Sequence, residues 1–408
     1  MVRRGESTVA DKKDLGFASR AVHAGERAPH PDFTPVSTPI YQTVTYTYDD
    51  MEVADQVFEG TRPGYVYSRY ANPTVIALEE ALTSLEGGRG AEAYASGMAA
   101  VFGALLCTGL GMGDRVLASR DLYGATYSLL DTLMPTLGVE TSFVDFMDLG
   151  EVERAMERLS PRLVIFEVMS NPLLRVTDVE ALVELAKSAG ASVLADSSFT
   201  TPYLIRPLEF GVDLVIHSTT KFLAGHSDVM GGVVVTNREE DVTIMEGHSK
   251  QVGGILGPFD AWLALRGIKT LPLRMQKQCE NAEKVAGWLS TRAEVRAVHY
   301  PGLKDHPQHA VAKRLFDGRY GGMVSFELSP GEKQSVHRFM ESLRLCQTGT
   351  TLGDIYTQIL NPAMSSHRAL TDEQRADVGI STGLMRMSVG IEDAEDIMDD
   401  LEGALRKL

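Results

Sequence analysis

Cysteine is scarce, with only Cys107, Cys279 and Cys346 among 408 residues. They lie far apart and lack metal-ligand spacing, which weighs against a disulfide framework and fits a reducing compartment, with the cytoplasm as the default. Long apolar runs are missing as well. No stretch reaches the roughly eighteen uninterrupted apolar residues of a bilayer-spanning helix. The opening MVRRGESTVADKKDLG carries charge with no apolar segment behind it, and reads as a loose polar tail rather than a secretory signal. Positive charge is in deficit: 39 Lys and Arg face 55 Asp and Glu, a formal net charge of −16. That balance repels phosphate backbones, and no basic stripe with interleaved aromatics offsets it, so no nucleic-acid partner is expected. The chain also lacks a G-x-G-x-x-G after its first strand and a G-x-x-x-x-G-K-[ST], which leaves a nucleotide-binding protein little support. No internal repeat or low-complexity tract is apparent.

What is present is an ordinary globular composition, 44% hydrophobic and 23% charged, in a chain long enough for two domains. From about residue 74, helix-like and strand-like segments alternate, as in an α/β fold with a mainly parallel sheet. TVIALEEALTSLEGG has helical spacing and a glycine stop; AEAYAS is a short strand leading into the apolar helix GMAAVFGALLCTGL. DRVLAS, PRLVIFEV, ASVLADSS, DLVIHST and GGVVVTN are short, β-branched and nearly continuously apolar, as strands covered on both faces are. In TDVEALVELAKSAG, Thr177 is placed to cap the helix start and Gly190 its end. One long helical region is expected from Phe259 to about Ser290. After it, GGMVSFELS and LMRMSVGIE read as strands and DAEDIMDDLEGALRKL as a closing helix. The organisation expected is an extended interface segment over 1–70, a cofactor-binding α/β domain over 71–270 and a smaller α+β domain over 271–408.

In open α/β sheets ligands bind beyond the carboxyl ends of the strands, so the residues just after each strand matter most. Ser96, Gly97 and Met98 follow AEAYAS at a helix start, where backbone N–H groups can hold a phosphate. Asp196 ends another strand. Ser218, Thr219, Thr220 and Lys221 follow DLVIH, giving hydroxyl donors and one amine. Singly, these are a packing turn, a turn-capping aspartate and a solvated lysine. Together they suit one ligand with a phosphate, a ring nitrogen and an aldehyde, namely pyridoxal phosphate. Its aldehyde needs a lysine to form a Schiff base, its pyridinium nitrogen a carboxylate, and its phosphate hydroxyl and backbone donors. A non-catalytic assembly subunit would be expected to have lost the lysine or the aspartate, and both are present.

At these residues the chain resembles the Cys/Met-metabolism family of pyridoxal-phosphate enzymes, which includes cystathionine γ-synthases, cystathionine γ-lyases and methionine γ-lyases. The resemblance runs from SRAVHAGERAPHPDFTPVSTPIYQTVTY through YVYSRYANPT, YASGMAAV, DLYGATYSLL, EVMSNPLLRVTDV, LADSSFTTP and HSTTKFLAGHSDVMGG to GPFDAWLALRGIKTLPLRM and LMRMSVGIED. It implies the aspartate aminotransferase-like fold, fold type I, and a homotetramer built as a dimer of dimers. Tyr67 and Arg69 resemble the pair that reaches the neighbouring subunit's cofactor phosphate. Tyr123 resembles the tyrosine stacked on the cofactor ring, and Lys221 the catalytic lysine. Arg386 resembles the arginine that clamps the substrate α-carboxylate, with Asn171 and Thr351 near the substrate. No metal is implied.

The resemblance implies α,γ-elimination from a sulfur amino acid of the methionine, homocysteine or cystathionine type. The alternative is γ-replacement, in which an activated homoserine ester combines with cysteine or sulfide. Ala125 stands where methionine γ-lyases usually carry cysteine, and Thr350 where several cystathionine-cleaving lyases place a glutamate. Tyr356 replaces a glutamate usual in its segment. These three positions are the ones expected to decide the substrate.

Overall fold

The computed structural model describes residues 15–28, 33–365, 368, 371, 373, 375 and 378–408; most of the polar tail, residues 1–14, lies outside these. A five-residue apolar run has no polar face to turn to water, so a strand made from it needs cover on both sides. Seven strands solve that problem in one sheet: β1 (Gly90–Tyr94), β2 (Arg115–Ser119), β3 (Glu140–Val144), β4 (Leu163–Glu167), β5 (Ser192–Asp196), β6 (Leu214–His217) and β7 (Gly232–Thr236). Their order is β1-β7-β6-β5-β4-β2-β3. Only β7 runs antiparallel to its neighbours. Alternate residues serve opposite faces: Val164, Phe166, Val193 and Val215 enter one core, while Leu163, Ile165, Leu194 and Leu214 enter the other. Each such fully buried side chain stabilises the fold by roughly 1.5–3 kcal/mol over exposure.

A second sheet holds β8 (Val295–His299), β9 (Met323–Leu328), β10 (Gln347–Thr348), β11 (Gln358–Leu360) and β12 (Leu384–Ser388) in the order β10-β11-β12-β9-β8. The closing helix spans Ala394–Leu405. Among the described residues no helix is long and apolar enough to cross a membrane.

Several local expectations change. The Phe259–Ser290 region is two helices, Pro258–Ile268 and Leu271–Leu289, because Pro272 has no N–H to donate to the carbonyl of Ile268 and its ring crowds that carbonyl, whereas the first turn of a new helix tolerates it. Asp178, not Thr177, caps the helix Val179–Ser188, accepting from Ala181 N at 3.3 Å. The Thr177 hydroxyl is drawn away to Glu167 O, 2.9 Å off. Gly190 does lie just past the helix end, with φ +73. The early segment is not wholly irregular, since Phe17–His23 and Met51–Phe58 are helical.

Candidate active site

The loops after β1, β2, β4, β5 and β6 gather at one edge of the large sheet, around a cavity of about 640 Å³. Of the residues expected from sequence, Ser96, Gly97, Met98, Tyr123, Asn171, Asp196, Ser218, Thr220, Lys221 and Arg386 line it. Thr351 joins them through its hydroxyl, which accepts from Lys221 Nζ at 3.0 Å. Tyr67 and Arg69 do not line it. Arg69 donates to Lys250 O and lies over the rings of Tyr67 and Tyr70.

Lys221 sits in a π-type turn, Thr219–Leu223, interrupted at the lysine itself, whose φ −93 and ψ −137 are not helical. Two neighbours fix that turn. From the helix Leu271–Leu289, the buried Arg274 donates to Phe222 O at 2.7 Å, to Leu223 O at 3.0 Å and to Gly267 O at 2.8 Å. From the other side, Gly353, with φ +84, approaches so closely that a β-carbon there would collide with Phe222 N. That approach brings Thr351 onto the lysine. Burial lowers the Lys221 pKa from its ordinary value; the nearby Arg386 charge lowers it further and Asp354 opposes. More of the nucleophilic free amine is therefore present near neutral pH. Pyridoxal phosphate uptake by the cofactor-free protein is expected to quicken with pH through an inflection below 10.5, the ordinary lysine value. Arg386→Leu is expected to move that inflection upward, because the cation that disfavours the ammonium is gone. Stopped-flow absorbance read across pH checks both.

At the start of the helix Gly97–Cys107, Ser96 Oγ accepts from Ala99 N at 3.1 Å. This leaves the first-turn N–H groups of Gly97 and Met98 aimed outward, as helix starts do. Gly97 packs closely here: a β-carbon would stand 3.0 Å from Ser218 Oγ, a contact that the serine would have to shift to relieve. Thr220 is less free than the sequence suggests, since its hydroxyl donates to Gly231 O at 3.2 Å and accepts from Gly231 N at 3.0 Å.

Asp196 accepts from Ser198 N at 2.9 Å. Burial raises its pKa, against the hydrogen bonds from Ser198 and the charge of His217. Among the described residues it has no lysine or arginine partner, so a cationic ring N–H in the cavity would supply its missing counter-charge. Arg386 is 3% exposed. It donates to Asn171 Oδ1 at 3.0 Å and to Thr351 O at 3.1 Å, while its buried Nε has no partner among the described residues. Burial lowers it to about 10, and no carboxylate pairs with it among those residues. Outward N–H groups, an uncompensated aspartate, a desolvated lysine and an unpaired arginine fit pyridoxal phosphate and an amino-acid carboxylate together.

Sequence reasoning missed several lining residues, Glu167 and Ser198 among them. Glu167, the last residue of β4, accepts from Tyr123 N and lies beside Asp196 in the strand register. The available signal was a carboxylate ending the apolar run LVIFE, the same signal that drew notice to Asp196. Ser198 receives the Ser218 N–H on its hydroxyl at 2.8 Å, tying the β5 and β6 loops together. Ala125 and Thr350 line the cavity. Tyr356 does not: Ile355 is pinned to Gly225 O and Thr357 is buried, so the tyrosine between them turns outward, 51% exposed.

Fold and site together define an α/β protein whose cavity brings together a desolvated lysine, a buried aspartate and a helix start. Residues 18–406 match the family model described as Cys/Met metabolism PLP-dependent enzyme, and the chain belongs to that family. It is 40% identical to an L-methionine gamma-lyase of Fusobacterium nucleatum subsp. polymorphum, over 98% of this chain and 100% of that one. It is 42% identical to a cystathionine gamma-lyase of Bacillus subtilis, over 91% and 95% respectively. Among solved structures, a cystathionine gamma synthase from Xanthomonas oryzae pv. oryzae in complex with cystathionine superposes with a TM-score of 0.90. The identity is 38%, covering 96% of this chain and 98% of that one.

Proposed function

We propose that the chain catalyses α,γ-elimination of a sulfur amino acid of the methionine, homocysteine or cystathionine type, releasing a thiol, 2-oxobutanoate and ammonia. The observation that carries this is the shared placement of Lys221, hydrogen-bonded to Thr351, and the unpaired buried Arg386, hydrogen-bonded to the same residue's carbonyl. Relatives named as γ-lyases, at 40% and 42% identity over nearly their whole lengths, support elimination over replacement. Pyridoxal phosphate, when bound, supplies an electron sink for carbanions next to the substrate nitrogen. Arg386 would hold the substrate α-carboxylate through its planar fork, itself oriented by Asn171 and Thr351. Lys221 would take the proton from Cα and then move protons at Cβ as general base and acid, which lets the sulfur leave from Cγ. Tyr123 would stack on the cofactor ring and serve as acid or base near the leaving sulfur. Gly97 and Met98 N–H groups, with the hydroxyls of Ser96, Ser218 and Thr220, would hold the phosphate, and Asp196 the ring nitrogen. Ala125 and Thr350 bring no charge to the wall, which favours a substrate with an uncharged far end over one with a distal ammonium.

Purified protein is to be given methionine, cystathionine and O-acetylhomoserine, each with and without added thiol. The expected product is 2-oxobutanoate without any added thiol. Accumulation of a thioether from the ester, with no 2-oxobutanoate from any substrate, would make the enzyme a γ-replacement catalyst.

The same reading assigns Tyr67 and Arg69 to the cavity of a neighbouring subunit in a cytoplasmic dimer of dimers. What supports it is that neither lines its own cavity, that Tyr67 is 41% exposed, and that Val36, Val44, Met51 and Phe58 leave apolar surface along the same segment. Co-refolding Lys221→Ala with Arg69→Ala in equal amounts is expected to restore activity at about a quarter of the sites, those combining one protomer's lysine with the other's arginine. No recovery would place Arg69 in its own subunit's chemistry.

A further inference from the structure

Glu167 is a second carboxyl in the cavity wall, and the mechanism above gives it no task. It is 7% exposed and ends β4 directly beside Asp196 of β5. Its side chain accepts the backbone N–H of Tyr123, and the backbone N–H of Asn171 lies near enough to help hold its pKa down. Tyr123 stands at the N-terminal boundary of the short helix Gly124–Ser128, so its own N–H lies outside the helical ladder. Asn171 in turn holds Arg386 at 3.0 Å. One buried carboxyl thus touches the two loops that carry the ring-stacking tyrosine and the orienter of the substrate-clamping arginine.

We propose that Glu167 is a positioning residue for the reaction: by accepting the N–H of Tyr123 and standing against the backbone of Asn171, it sets the tyrosine over the cofactor ring and Asn171 against Arg386. This rests on the roles given above to Tyr123 and Arg386. Burial, and then the neighbouring Asp196 charge, raise the Glu167 pKa well above the usual carboxylate range, against the two N–H groups. What the Tyr123 N–H meets is an acceptor oxygen, and accepting a backbone N–H needs that oxygen whether or not the group is charged. Glutamine reproduces that oxygen; methionine keeps the volume and removes it.

The test compares Glu167→Gln, Glu167→Met and Glu167→Ala with the unaltered protein. In the cofactor-free form, deuterium uptake by the peptide spanning 121–128 is expected to stay slow in the glutamine variant. It is expected to quicken in the methionine and alanine variants, with thermal unfolding showing each to be folded. In the holoenzyme, glutamine is expected to hold kcat/KM within about threefold, whereas methionine lowers it by about 100-fold, the scale of a misplaced reacting group. The loss should fall on kcat through Tyr123 and on KM through Arg386, and the visible circular dichroism of the bound cofactor should change with it. Glutamine as damaging as methionine would overturn the proposal in favour of a charge or proton role. Unchanged exchange and unchanged kcat/KM in the methionine variant would overturn it outright. The exchange comparison needs no substrate, so it reads Glu167 even if the elimination assay on the unaltered protein comes out negative.

Discussion

Lys221→Ala is expected to lower 2-oxobutanoate release by at least about 10,000-fold, since in the proposed mechanism one amine would serve both as the cofactor's covalent anchor and as the proton carrier. The surrounding cavity should survive. The turn is held through backbone carbonyls by Arg274, and Arg386 keeps its bonds to Asn171 and to Thr351 O. The variant should therefore still take up pyridoxal phosphate, but borohydride should no longer fix the yellow colour to the peptide containing position 221. Lys221→Arg should not rescue turnover, because a guanidinium stays protonated and cannot act as a base. Residual kcat within tenfold of the unaltered enzyme would remove the lysine from the chemistry.

Asp196→Asn is expected to lower kcat on the order of 1,000-fold, about 4 kcal/mol, the scale of removing one member of a buried charge pair. The substitution is nearly isosteric, and the amide oxygen can still accept from Ser198 N, which Asp196 does at 2.9 Å. Any loss then reports charge rather than shape. Cofactor affinity, read by equilibrium dialysis, should weaken in the same variant. An asparagine enzyme with ordinary kcat and cofactor affinity would show that the carboxylate has no counter-ion role.

How much could be read without coordinates depended on how strongly burial constrains a segment. β4 and β5 are buried along most of their lengths, which leaves an almost unbroken apolar run in sequence. β3, at the sheet edge, has only Val144 buried in ETSFV, and β8 alternates as VRAVH with no residue fully buried, so neither carries that run. β10 and β11 have two and three residues, too few for any period to show. Candidate chemistry stood out where polar residues end or closely follow an apolar strand, as Asp196 ends β5 and Lys221 lies in the turn after β6. Glu167 carried the same mark and was passed over because it sits inside LVIFEV and not at a visible turn. Thr351 was named only through the resemblance, and its bond to Lys221 depends on how closely Gly353 meets Phe222 N, a contact between positions about 130 apart that no local pattern records.

Arg274 belongs to a helix that also reaches toward the second sheet, where Gln278 donates to Asp354 O at 2.8 Å and Asn281 to Gly390 O at 3.1 Å. The turn that presents the reactive amine is therefore suspended from the same rod that fastens the C-terminal half. If cofactor capture depends on that turn, it and the docking of the C-terminal segment would be linked equilibria, each tightening the other to the same extent. A chain cut before Thr270 would lose the suspension and hold its cofactor loosely, and cofactor removal should loosen contacts far from the ring, on the Gly390 side of the molecule.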